Sequence, residues 1–430
     1  MERTDTAAGA ARADNARLNM REFADQAEVL RSMPTKAWLS VTGKCNLLCT
    51  HCPRSLIDEQ FLSSDEITPT LFADIQRDLF PSLDMLRIGG NNLGEQLFAR
   101  SWPTYAREMS HQPYTPWLVT NAQTMNQSRI ADLVEAGYII DISIDGATED
   151  RYRLIRGASL AKLTDNVRSI IRERQRWDET AAPGARRAKV IFSFTAFADN
   201  VDEVPKLVRL AADLGVDEVV VTHYMPSLEE QRYQSLFYHQ NTANAAFADA
   251  RRIADETGVA VQLPPAYLVR SLGSVEALRV RVRDRYGREL DVPGESAAAP
   301  KCLHPWTSAS INEKGEVYPC CQSNLLMGDL KTSSFAEIWN NRRYRKLRRT
   351  VNSDNPLPDC RQCVLRGESF TSVGCEEGRF FLRNLDLPNW HTDTRRARLR
   401  EWFAQTKLGR WFWNAGRSVY KNFLEWHFAR

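Results

Sequence analysis

Three cysteines stand at C-x3-C-x2-C spacing, Cys45, Cys49 and Cys52, directly after the apolar run 37–41. Three thiolates can hold three irons of a [4Fe–4S] cubane and leave the fourth iron open. An open iron can bind a small molecule and pass it an electron, whereas four thiolates close a cluster. The spacing therefore points to chemistry. Taken alone, the same thiolates serve zinc equally well. A second group lies far downstream: Cys302, Cys320, Cys321, Cys360, Cys363 and Cys375. Nine cysteines grouped in this way suit metal or redox use better than a disulfide framework.

Residues 36–225 alternate short apolar runs with amphipathic stretches. Strands are expected over 36–42, 85–89, 117–121, 139–145, 189–197 and 218–223. Helices are expected over 68–79, 128–136, 160–172 and 201–214. Thr68 reads as an N-cap with Pro69 at the first helical position, Asn200 as the cap of the last helix, and Gly215 as its end. Six strand–helix units in series predict a parallel sheet, open or curled into a barrel. Polar and glycine residues follow successive strands: the cysteine loop, 89–95, Thr120-Asn121 and 143–146. In an α/β barrel these ends share one face, where the active site lies.

Further on, a helical segment is expected at 244–256, an apolar run at 259–263, and a linker at 293–300. Two strands are expected at 307–311 and 316–319 around the turn 312–315, then one helix over 335–348. The tail interleaves Arg and Lys with Trp402, Phe403, Trp411, Phe412, Trp413, Phe423, Trp426 and Phe428. It reads as a terminal helix packed on the body, or as an interfacial basic helix touching a membrane surface or a protein.

The chain has 430 residues and a net charge of +3, which gives no nucleic-acid footprint. No secretory h-region and no spanning run is visible, so a cytoplasmic protein is the default.

The cysteine loop, Gly94-Glu95, Thr120-Asn121 and 142–148 with Tyr152 and Arg156-Gly157 together resemble the radical S-adenosylmethionine (SAM) enzymes. The usual Gly-Gly-Glu triplet is spread over a longer loop here, and Ala122 stands where glycine is usual. The resemblance implies a partial (β/α)6 TIM-like barrel, with Cys45, Cys49 and Cys52 holding a SAM-binding [4Fe–4S] cluster. It implies SAM contacts from Gly94, Glu95 and Asn121. Glu95 suits the methionine ammonium, Ser143 and Asp145 the ribose hydroxyls, Arg156 the SAM carboxylate and His51 the adenine. The bland readings are a helix cap for Asp145, a loop residue for His51 and a surface ion pair for Arg156.

Downstream, Pro305-Trp306, Gly315-x4-Cys320, Glu337-Ile338-Trp339 and Cys360-x2-Cys363 resemble the SPASM/twitch extension of that superfamily. Ser369 and Val373 stand where the full SPASM pattern has further cysteines. The resemblance thus implies the single-cluster twitch form, an auxiliary [4Fe–4S] cluster on Cys302, Cys320, Cys360 and Cys363. A zinc knuckle is the structural alternative. Cys321 is a candidate hydrogen donor or base, or simply packs; Cys375 is a substitute ligand at most. The implied division is an N-terminal extension 1–35, a radical SAM core 36–226, barrel completion and linker 227–300, an auxiliary module 301–376 and a tail 377–430.

The implied reaction is reductive cleavage of SAM to a 5′-deoxyadenosyl radical, which takes hydrogen from an unactivated C–H bond. Three fates follow: oxidation with the auxiliary cluster accepting an electron, epimerisation with Cys321 returning hydrogen, or peptide maturation. Oxidation of a small polar substrate, a sugar, aminocyclitol or natural-product intermediate, is the expectation. Flavodoxin or ferredoxin would supply electrons. Lys44, Thr195, His223 and Tyr224 are candidate substrate contacts at the barrel mouth. The class apart from enzymes is an electron-transfer or zinc-structured binding protein.

Overall fold

The computed structural model describes residues 2–56, 62–90, 93–224, 234–264, 266, 301–321 and 323–361. Cys363, Cys375, the linker 293–300 and the aromatic tail lie outside them. Six parallel strands follow one another: β1 (Lys36–Leu39), β2 (Met85–Ile88), β3 (Thr115–Thr120), β4 (Ile139–Ser143), β5 (Lys189–Ala196) and β6 (Glu218–His223). A short β7 (Ala260–Gln262) continues the sheet in parallel beside β6. Buried side chains largely alternate with half-buried ones along β2, β3, β5 and β6, so one face of the sheet lies in the core. Helices α2 (Pro69–Leu79), α3 (Trp102–Ser110), α4 (Gln127–Glu135), α6 (Leu160–Thr180) and α7 (Val204–Leu214) lie between the strands, and α8 (Gln240–Thr257) precedes β7.

The expected caps divide. Thr68 accepts from Leu71 N with Pro69 beside it, and Gly215 closes α7 at φ +75°. Asn200 does not cap its helix. Its side chain instead accepts from Phe197 N and donates to the carbonyls of Asp145 and Thr195, and a single 3₁₀ turn precedes α7. The first strand ends at Leu39, short of the expected 42. The buried Gln96 Oε1 takes the Val41 and Thr42 amides, so those donors leave the ladder.

The hairpin after the linker is present as β8 (Ser308–Ile311) and β9 (Glu316–Tyr318), with β10 (Gly328–Asp329) beyond. Its placement is not legible in the sequence. β8 pairs in parallel with β1, so the sheet order is β10-β9-β8-β1-β2-β3-β4-β5-β6-β7. The C-terminal module is thereby built onto the barrel's own edge, beside the cysteine strand. The helix expected over 335–348 is two helices, Phe335–Trp339 and Arg342–Val351. Asn340 breaks it by pairing its side-chain amide with both backbone groups of Leu30, and Asn341 caps the second helix.

The N-terminal extension carries a helix, α1 (Glu2–Ala24), that the polar composition did not announce. Its inner face packs on the C-terminal module: Phe23 meets Trp306 edge to face at 5.4 Å, and Trp306 Nε1 donates to Ala27 O. No described helix is long and apolar enough to cross a membrane.

Candidate active site

The cysteine loop leaves β1 under close constraint. Gly94 crosses directly above Thr42, where a Cβ would lie 2.0 Å from the Thr42 carbonyl oxygen. That approach permits Glu95 N to donate to Lys44 O at 2.7 Å. Asn121 Nδ2 reaches Asn46 Oδ1 at 2.9 Å, and Thr50 N donates to Ile155 O. The segments after β2 and β3, and the helix that follows β4, thus grip the loop that follows β1, and the four motifs converge as the fold predicts.

Cys45 and Cys52 are half-buried and Cys49 is buried. Burial pushes all three thiols up, and the charge of each bears on a neighbour. Arg54 N points to Cys52 Sγ at 3.4 Å and Arg156 Nη1 to Cys49 Sγ at 3.9 Å. Among the described residues no three His, Cys, Asp or Glu side chains stand close enough to share one metal ion. A cubane asks for a wider spread, because each thiolate takes its own iron. Donors aimed at two sulfurs suit an anionic cluster, since they stabilise thiolate charge. Among the described residues the buried atoms Arg54 Nε, a donor, and His51 Nδ1 have no hydrogen-bond partner, so the loop keeps polar atoms unspent. The residues present fit the group.

Glu95 is buried and pushed up by desolvation, although it accepts from Asn121 N, Thr120 Oγ1 and Leu97 N. Ser143 stands half-buried at the end of β4. Asp145 is wholly buried and neither caps a helix nor faces open space. It accepts from Arg156 Nε at 2.7 Å and Nη2 at 2.6 Å, Thr195 N at 2.8 Å, and faces His51 Nε2 at 3.2 Å. The entry to α5 (Glu149–Arg156), which has no side-chain cap, is braced by Glu203, whose Oε2 accepts from Ala147 N, Thr148 N and Thr148 Oγ1. Arg156 is likewise no surface pair but a buried one. Burial, the largest single influence, works against its charge, but Asp145 together with Cys49 and Tyr152 raises it, so the guanidinium stays protonated. In this structure a ribose diol reaches Asp145 only if Arg156 gives way. His51 lies among Phe197 and Tyr224, and burial lowers it despite Asp145.

The other expected mouth residues are occupied. Lys44 pairs with Glu66 at 3.1 Å, Thr195 spends its amide on Asp145, and His223 lies buried against Phe247. A cleft of about 320 Å³ instead opens between the cysteine loop and the C-terminal module. Gly43 and Arg54 line one side, and Glu313, Tyr318, Cys320 and Cys321 the other. Arg54, Glu313 and Tyr318 escaped the sequence reading. Only the adjacency of Arg54 to Cys52 hinted at a role; the hairpin's pairing with β1 carries the rest.

Cys302, Cys320 and Cys360 are half-buried, and Cys302 and Cys360 pack on the core. Asp359 ties the turn of Cys360 to the Cys320 loop by accepting from Asn324 N and Ser323 Oγ. Cys363 lies outside the described residues.

A parallel α/β barrel whose first loop presents three thiols at its mouth, with a cysteine-bearing hairpin module on its edge, defines a class of iron–sulfur enzyme. Residues 302–364 match the SPASM iron–sulfur cluster-binding domain. A tungsten-containing aldehyde ferredoxin oxidoreductase cofactor-modifying protein of Pyrococcus furiosus is 22% identical over 360 residues, 82% of this chain and 91% of that one. Pre-heme d1 synthase of Dinoroseobacter shibae is 27% identical over 322 residues, 71% and 73% of the two chains. Streptococcus suis SuiB bound to S-adenosylmethionine shares the fold with TM-score 0.52 at 13% identity, covering 76% of this chain and 68% of that one. The protein belongs to the radical SAM enzymes of the SPASM/twitch group. Its cofactors are SAM and [4Fe–4S] clusters, including an auxiliary one.

Proposed function

We propose that the protein oxidises a C–H bond of a polar cofactor precursor or natural-product intermediate held in the cleft between its two cysteine sites. The observation that carries this is the lining of the cleft. Arg54 of the SAM-cluster loop and Cys320 and Cys321 of the auxiliary module face the same space. A substrate seated there meets both sites at once, which serves a reaction that removes a hydrogen atom and then an electron, with a proton released to a base.

We assign the SAM cluster to Cys45, Cys49 and Cys52, and the auxiliary cluster to Cys302, Cys320, Cys360 and Cys363. When bound, the first cluster and SAM supply the hydrogen-abstracting radical. The chain's own residues position and enclose: Glu95 and Asn121 hold the loops around SAM, and His51, Phe197 and Tyr224 form an aromatic wall. We assign the division at 36–226, 227–300 and 301–376 on the same basis, with a reductant such as flavodoxin or ferredoxin as partner in the cytoplasm. A sugar or aminocyclitol was the expectation from sequence. The two relatives named above are named for work on cofactors, which favours a cofactor precursor.

Anaerobic reconstitution tests the reading. It should load about eight irons per chain, two cubanes, and yield 5′-deoxyadenosine from SAM under reduction. Tightly bound zinc with SAM untouched would end it. Cys321→Ala in deuterated water separates the fates. Oxidation requires turnover to persist without deuterium at the reacting carbon. Loss of product with a stereochemically inverted wild-type product would make the protein an epimerase.

A further inference from the structure

Cys302 is held by a side chain outside both cysteine groups. Asn352 Oδ1 accepts from Cys302 N at 2.8 Å, and its Nδ2 donates to Cys302 O at 3.0 Å. Two bonds to one residue's backbone act as a strand partner would, fixing both its place and its rotation. The second N–H of the same amide donates to Gln26 Oε1 at 3.0 Å.

Gln26 closes α1 in an unusual way. Gln26 N donates to Phe23 O and Ala27 N to Glu22 O, the pattern of a helix end that calls for a left-handed residue. Gln26 adopts φ +52°, a conformation that glycine or asparagine takes far more easily. Its side chain uses both ends: Nε2 donates to Phe23 O at 2.6 Å, and Oε1 receives Asn352. Strain accepted at one residue is a sign that its side chain is needed there. The surrounding contacts tie the same two segments together. Buried Arg348 donates to Glu28 O and Pro305 O, and Trp339 Nε1 donates to Ser32 O.

We infer that Gln26 and Asn352 are positioning residues for the auxiliary cluster, through which the N-terminal arm sets the backbone of Cys302. The inference rests on Cys302 being a ligand of that cluster.

The test uses the full chain, reconstituted without oxygen, as wild type, Gln26→Gly, Gln26→Asn, Asn352→Ala and Cys302→Ala. The readings are the EPR signal of each reduced cluster, iron release to a chelator and thermal unfolding of the cluster-free chain. Gln26→Gly and Gln26→Asn should unfold at or above the wild-type temperature, since both relax the left-handed backbone. Both should nonetheless shift the auxiliary signal and speed iron release from that cluster about fivefold, the worth of one hydrogen bond. Asn352→Ala should act in the same direction and more strongly, with the signal of the SAM cluster unchanged. Auxiliary signals identical to wild type in Gln26→Gly and Asn352→Ala, or equal shifts in both clusters, overturn the inference. An auxiliary cluster that persists in Cys302→Ala sinks the ligand assignment instead.

Discussion

The buried pair of Asp145 and Arg156 makes a quantitative prediction. Arg156→Met removes a guanidinium that places two nitrogens on one Asp145 oxygen and leaves a wholly buried carboxylate behind. Breaking a buried pair from one side costs roughly 3–5 kcal/mol. Asp145 retains the Thr195 amide and still faces His51 Nε2, so the loss should fall near the lower limit, about 3 kcal/mol. Asp145→Asn in the same chain removes the stranded charge and keeps an acceptor for Thr195 N. The double variant should recover about 2 kcal/mol, a coupling that only a direct interaction gives. Urea unfolding of the cluster-free protein, oxygen-free at neutral pH, measures all four chains independently of any cofactor. In the loaded enzyme, Arg156→Met should also move the first cluster to a more negative potential, because a cation beside Cys49 favours the reduced state. A single-variant cost below about 1 kcal/mol, or a double variant no more stable than Arg156→Met, would refute the reasoning.

Gly94→Ala places a carbon against the Thr42 carbonyl, so it should cost about 3 kcal/mol and abolish iron uptake by the first cluster while the auxiliary signal survives. Burial lowers His223 to about 4, so the folded protein refuses a proton that the unfolded chain accepts from near 6.5 downward. Its contribution is therefore intact above pH 6.5 and shrinks by about 3 kcal/mol as pH falls to 4. His223→Leu should flatten that part of the pH–stability curve; an unchanged slope would disprove it. Thr68→Ala removes the acceptor for Leu71 N at the start of α2 and should lower stability by about 1 kcal/mol by denaturant titration, with no change in cluster content.

The sequence by itself determined the chemistry and the barrel. Cysteine spacing is a local property, and the apolar runs fix six strands in order, because each strand must bury at least one face in the core. Right-handed crossovers then bring the loops after successive strands to one rim, so Cys45, Glu95, Asn121 and Asp145 converge without further information. What tertiary structure decided are the partners of groups far apart in the chain. Asp145 could face a ligand or a cation, and only packing shows Arg156 on its Oδ2 and the Thr195 amide on its Oδ1. The hairpin at Ser308–Ile311 could have stood apart as a separate module. Its parallel pairing with β1 puts Cys321 across the cleft from Arg54. The arm at Gln26 reads as a polar extension until Asn352 and Arg348 supply the other half of its hydrogen bonds. Such contacts join residues some three hundred positions apart, and no periodicity or spacing records them.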